Sequence, residues 1–167
     1  VSRCPYCKTI TNLGDYDWVL SEITQADDFN ISNLLSLKMG GLNSKLNAMF
    51  ANDMKFSSQM IEDKVSNGYL QIQTAFVLSK PQLVKRFVSK ELYDKLAILI
   101  PQNQAIYYRI FLNDVTLVGA GIKDNKHILM VAVKCSYQRI IPLDNGGLQV
   151  LDAAIISKTE VVYLERN

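Results

Sequence analysis

The period of the apolar pattern changes once along this chain, and that change constrains the fold more than any other feature. Ile61, Val65, Tyr69, Ile72 and Phe76 are separated by four, four, three and four residues. That spacing lays one apolar stripe along a helix of about 3.6 residues per turn. From residue 105 onward the period is two. Over residues 105–122, Tyr107, Arg109, Phe111, Asn113, Val115 and Leu117 share one face of a predicted strand, and Tyr108, Ile110, Leu112, Asp114, Thr116 and Val118 share the other. Asp124-Asn125 marks a turn. Residues 126–141 read as a second long strand, with Leu129, Val131, Val133, Cys135 and Tyr137 on its apolar face and Lys134, Ser136 and Gln138 opposite. Pro142 and Asp144-Asn145-Gly146-Gly147 give the next turn, and residues 148–166 supply further strand, with a bulge expected near Ser157-Lys158. Helices first and a meander of long strands afterwards is the pattern of an α+β domain, its helices on one face of an antiparallel sheet.

Local signals divide the helical half. Asn52 or Asp53 is expected to cap the long helix. Gly68 lies inside it, at a cost of about 1 kcal/mol against Ala, and is expected to mark a close helix–sheet contact. Ser79 and Pro81 predict a stop followed by a short helix from Pro81 to Val88, with Ser79 as its cap. Ser89 is expected to cap a third helix, from Lys90 to about Ile100, which Pro101 ends. Before all of these, Leu42, Leu46, Met49 and Phe50 have helical spacing, but Gly40-Gly41 interrupts the segment. A linker with short helical turns is expected there.

Composition excludes several classes. Apolar residues make up 49% of the 167 and charged residues 20%, so the chain lacks the signature of disorder. Lys plus Arg is 18 against 16 Asp plus Glu, too even for a dedicated nucleic-acid binder. No apolar run reaches the roughly 18 residues that cross a bilayer. His127 is the single histidine, so a histidine-rich metal site within one chain is excluded. It begins a strand beside a turn and reads as a solvated or edge residue. Gly119-Ala120-Gly121 is too short, and too plainly within a strand, to be a phosphate-binding loop.

The three cysteines fall into two kinds. Cys135 sits mid-strand on an apolar face and reads as a core residue. Cys4 and Cys7 form a CxxC. Zinc takes four thiolate or imidazole ligands in a tetrahedron, which two such pairs normally supply. One pair gives half a site. The alternatives are a thiol pair that is free or oxidised, and a redox motif. The redox motif requires a CxxC opening a helix within a βαβ unit, a context this segment lacks.

The stretch from Leu70-Gln71 and Ala75 through Arg86-Phe87-Val88-Ser89 to Glu91-Leu92-Tyr93 resembles the helical half of the Tim-forty-four-like domain. That family is named for the subunit tethering the mitochondrial import motor to the inner membrane. The strand pair from Leu112 to Val118 and from Ile128 to Arg139 fits its sheet. The resemblance covers about residues 50–167. It implies a cone-shaped, cystatin-like roll of the nuclear-transport-factor-two-like kind, with one long and two short helices on a curved sheet of three or four strands. Cys4 to Asn12, followed by Tyr16-Asp17-Trp18-Val19-Leu20-Ser21, resembles the second knuckle and exit strand of a zinc ribbon in bacterial zinc-ribbon transport proteins with Tim-like domains. The division implied is 1–25 ribbon half and exit segment, 26–50 linker, 51–167 roll domain. The Val1 start and the strand-like Val161-Val162-Tyr163-Leu164 near the end fit an internal piece of such an array. With it come a bacterial, membrane-tethered protein with this domain on the cytoplasmic side, zinc in the full-length protein, and a transport-related binding or scaffold role without catalysis.

Rolls of this kind usually hold a pocket between the long helix and the concave sheet. Candidates to line it are Tyr69, Ile72, Phe76, Tyr107, Tyr108, Asp114 and Tyr137. Asp114 and Asp152 are the candidate acids if the pocket were an active site, where apolar surroundings raise carboxylate pKa values. Tyrosines are more often core residues with a polar tip, and an aspartate near a strand bulge more often faces solvent. Lys80, Lys85, Arg86, Lys90 and Lys95 cluster on the short helices and are candidates for lipid contact, at about 1 kcal/mol per basic residue near an anionic surface. Glu91 and Asp94 among them equally suit a solvated mixed-charge face. The expected partner is a protein or a membrane surface, with a homodimer through an edge strand or the unpaired knuckle as a further expectation. The rival readings are a small-ligand-binding pocket and a pocket enzyme.

Overall fold

The structure is a computed structural model that describes residues 2–3, 10–11, 18–25, 42–50, 56–103 and 106–166. In chain order the elements are β1 (Ser2–Arg3), β2 (Ile10–Thr11), β3 (Trp18–Gln25), α1 (Leu42–Phe50), α2 (Ser58–Leu78), a 3-10 turn (Pro81–Val84), α3 (Lys90–Gln102), β4 (Ile106–Lys123), β5 (Lys126–Pro142), β6 (Leu148–Val150) and β7 (Ile156–Arg166). The fold is α+β. Among the described residues, three helices pack on a five-stranded antiparallel sheet of order β3-β7-β5-β4, with β6 paired to the end of β5. The sheet does not close on itself, and its concave face holds the helices as a roll.

Helix α2 is the long helix of the sequence pattern. Ile61, Val65, Gly68, Tyr69, Ile72 and Ala75 are buried along one stripe. Its cap is Ser57 rather than Asn52 or Asp53. The Ser57 backbone is extended, and its Oγ accepts the Met60 N–H at 3.0 Å. Ser79 ends this helix instead of opening the next one. It takes the left-handed conformation at φ 54°, and its N–H bonds back to the carbonyls of Ala75 and Phe76. The expected helix Pro81–Val88 is a single 3-10 turn. It stops because the chain behind it is recruited to β3: Leu20 N–H donates to the Phe87 carbonyl at 2.9 Å, and Ser89 N–H donates to the Leu20 carbonyl at 2.8 Å. Ser89 caps α3 as expected, accepting the Leu92 N–H at 3.2 Å. Pro101 falls inside α3 rather than ending it. In the last turn its missing N–H costs one bond, and Asn103 N–H closes the end onto Leu99 and Ile100.

Strand β3 lies before the span 51–167, yet it is part of the same sheet and core. It pairs with β7 from Trp18↔Arg166 to Gln25↔Glu160, with a bulge between Leu20 and Glu22. Trp18 and Leu20 are buried, and Phe50 of α1 packs edge-on against Trp18. Gly68 is where α2 crosses this strand. A Cβ there would sit 3.0 Å from Leu20 Cδ1 and 3.2 Å from Cδ2, so the expected close contact is present. Gly68→Val is expected to lower stability by about 1–3 kcal/mol, because its γ-carbons would enter the space of Leu20. A thermal melt checks this, and an unchanged midpoint would show that Leu20 simply rotates away.

The strict alternation predicted for β4 breaks three times. Its register with β5 shifts between Tyr107 and Arg109, between Leu112 and Asp114, and between Leu117 and Gly119. Each bulge moves the inward set by one residue. Core-facing Ile110, Leu112, Val115, Leu117 and Ala120 therefore follow spacings of two, three, two and three. Glu62 of α2 accepts the Leu117 N–H at 3.0 Å beside the third bulge. The turn to β5 at Asp124 and Asn125 has φ values of 51° and 63°, the geometry that favours two-residue hairpins. The bulge expected near Ser157-Lys158 is absent: β7 runs in unbroken register with β5 from Ile156↔Tyr137 to Glu165↔Ile128. The break lies at residues 151–155 instead, where Asp152 turns inward.

Candidate functional site

A cavity of about 540 Å³ opens between the C-terminal halves of α2 and α3 and the concave sheet. This is within the roughly 300–1,000 Å³ usual for small-molecule sites. Its two walls differ in chemistry. The helical side mixes apolar side chains, Ile72 and Phe76 from α2 and Leu96 and Leu99 from α3, with neutral polar ones, Tyr69 and Gln73 from α2 and Gln102 from α3, and Ile23 of β3 closes one flank. The sheet side is charged, with Arg139 from β5 and Lys158 and Glu160 from β7. Asn103, the residue that caps the end of α3, completes the lining.

Period two explains the charged wall. Glu160, Val162 and Leu164 alternate along β7, and Val162 and Leu164 are wholly buried under α2. Two residues nearer the strand's start, the same face carries Glu160 and then Lys158. They stand beside Val133 and Cys135 of β5, with which they are in register. Tyr69 spans the gap from α2. Its hydroxyl donates to Glu160 Oε1 at 2.5 Å and lies 3.6 Å from Cys135 Sγ. Lys158 Nζ reaches the same carboxylate oxygen at 2.8 Å. It also lies 4.9 Å above the Tyr137 ring, on which the Arg139 guanidinium is centred at 5.9 Å.

Arg139 is held by Asp152. Its backbone N–H and Nε both donate to Asp152 Oδ2, at 2.9 and 3.0 Å, and Nη2 donates to Oδ1 at 3.0 Å. The Arg139 hydrogen bonds hold the Asp152 carboxyl below the usual carboxylate range, against the opposing effect of burial. This is the reverse of the raised acid that a roll-type active site requires. Burial, followed by the charge of Glu160, pushes the Tyr69 phenol far above its ordinary value, so it stays a proton donor. Burial also pushes the Cys135 thiol up. A protonated, enclosed thiol is a poor nucleophile. In a chain carrying Cys4→Ser and Cys7→Ser, Cys135 is expected to resist Ellman's reagent for hours at pH 8 and to react within minutes in denaturant. Rapid native reaction would show that the roll opens readily.

The predicted site residues scatter. Tyr69, Ile72 and Phe76 line the cavity, and Tyr137 lies beneath its cations. Asp114 is outside it, exposed at a bulge of β4, where it accepts the Thr116 hydroxyl at 3.0 Å. Tyr107 pairs with Arg139 through the backbone. The side chains of Tyr107 and Tyr108 lie outside the described residues. Lys80, Lys85, Arg86 and Lys90 are all exposed, and Arg86 lies 5.0 Å over the Phe87 ring. His127 is half-buried rather than solvated, edge-on to Phe50 at 5.4 Å. Cys4 and Cys7 lie outside the described residues. The third thiol, Cys135, is buried in the roll core beside the Tyr69 hydroxyl. Among the described residues no cluster of three or more metal-donor side chains exists, and no helix is long and apolar enough to cross a membrane.

Sequence reasoning missed Arg139, Lys158 and Glu160. The signal was available in β7, where an inward face that is apolar at Val162 and Leu164 turns charged at 160 and 158. No protein-family model matches this sequence, and no curated protein matches it significantly.

Proposed function

We propose that this chain is a non-catalytic binding module whose roll pocket takes a small amphipathic molecule. One observation carries the reading: a cavity of ligand size sets the apolar side chains Ile72, Phe76, Leu96 and Leu99 beside hydrogen-bonding groups from both the helices and the sheet. The titratable groups Tyr69, Lys158 and Glu160 that converge there are bonded to one another, and the Tyr69 phenol stays protonated. Such an arrangement orients a ligand and has no activated nucleophile to attack it. The test is binding of the neutral dye Nile red. Saturable fluorescence that Phe76→Glu abolishes is expected. No saturable binding, or equal binding by the variant, would overturn the reading.

A second reading rests on a separate observation. Leu148, Val150 and Ile155, each 55% exposed, stand close in sequence with exposed Leu143 and Leu151. Exposed apolar clusters of this kind mark contact surfaces. This surface suits the protein contact of a scaffold module. The resemblance to Tim-forty-four-like and zinc-ribbon proteins supports the wider setting: a membrane-tethered bacterial protein with a transport-related role, in which zinc would be held by a second cysteine pair joining Cys4 and Cys7.

A further inference from the structure

Accepting the pocket as a ligand site, we infer that its ligand is uncharged: an apolar body bearing a neutral hydrogen-bonding group such as a hydroxyl, carbonyl or amide. The inference rests on charge balance at the polar wall. Lys158 is matched by Glu160 on β7 at 2.8 Å, and Arg139 by Asp152 at 3.0 Å. Each cation therefore brings its own carboxylate. The remaining polar lining comes from Tyr69, whose hydroxyl proton goes to Glu160, and from Gln73, Gln102 and Asn103, neutral amides able to donate and to accept.

A charged ligand would disturb this balance. A carboxylate entering beside Lys158 would face Glu160, whose side chain is only 13% exposed, and like charges in a weakly solvated site repel strongly. An ammonium would meet Lys158 and Arg139, which converge on the Tyr137 ring. Either ion would lose part of its hydration without gaining an unmatched partner. A hydroxyl or amide loses far less, and the amides of Gln73, Gln102 and Asn103 supply donors and acceptors in place of water. Its apolar part lies against Ile72, Phe76, Leu96 and Leu99.

The test compares 1-octanol, octanoate and octylamine, which share an alkyl chain and differ in head-group charge. Each is titrated into the 15N-labelled chain at pH 7, with the side-chain amides of Gln73, Gln102 and Asn103 as reporters. Octanol is expected to bind about tenfold more tightly than either ion, from the cost of desolvating an unmatched charge. Glu160→Gln, which leaves Lys158 without its carboxylate, is expected to shift the preference toward octanoate. Tighter or equal binding of octanoate or octylamine by the wild-type chain overturns the inference and leaves the pocket standing. If none of the three moves the reporters, the pocket reading itself fails, and the inference with it.

Discussion

A chain starting at residue 51 is expected to be unfolded. It would retain every helix and strand from α2 onward but lose β3, and with it buried Trp18 and Leu20. It would also lose the β3–β7 ladder and the two hydrogen bonds that tie Leu20 to Phe87 and Ser89. Removing a buried Trp or Leu side chain costs about 2–5 kcal/mol each. Together these approach the whole stability of a domain, about 5–15 kcal/mol. Circular dichroism and a thermal melt of residues 51–167 against 1–167 would show it. A cooperative melt of the shorter chain would mean that β3 is an accessory. The single substitution Trp18→Ala in the full chain is expected to cost about 3–5 kcal/mol, with the fold retained.

The second large effect lies at the pocket floor. Lys158→Met is expected to destabilise the chain by about 3–5 kcal/mol, because it strands Glu160 in a poorly hydrated site. Adding Glu160→Gln should recover most of that loss. The glutamine keeps an acceptor for the Tyr69 hydroxyl and removes the unmatched charge. Denaturant melts of both single variants and the double give the coupling directly. A loss below about 1 kcal/mol for Lys158→Met would place the pair with solvated surface salt bridges.

The architecture was legible because both periods are long. The stripe Ile61 to Phe76 needed only one helix, and the alternation in β5 from Leu129 to Tyr137 survives in the burial of its inward face. Gly68 was readable as a close contact because a glycine in a helix interior is costly without a packing reason. What stayed hidden is non-local. Nothing in Trp18-Val19-Leu20 says which strand it pairs with, so it read as the exit of a ribbon. The long helix begins at Ser58, so Ser57 is its cap, and composition does not reveal where that first turn falls. The candidate site was half legible. Tyr69, Ile72 and Phe76 follow from the helix stripe facing a sheet. Lys158, Glu160 and Arg139 depend on strand register, and a one-residue bulge between Lys158 and Glu160 would have put the two β7 charges on opposite faces.

The three bulges of β4 have a consequence at the sheet's margin. Among the described residues β4 is an edge strand of 18 residues, long enough to recruit a foreign strand along its whole length. The bulges cut it into regular stretches of only four or five residues, 109–112, 114–117 and 119–123. A straight strand arriving from another molecule can match one of these and then falls out of register at the next. Stacking of many copies would require each to reproduce the same three offsets in step. The kinks that wrap β4 around the core therefore also make its long margin a poor template for aggregation.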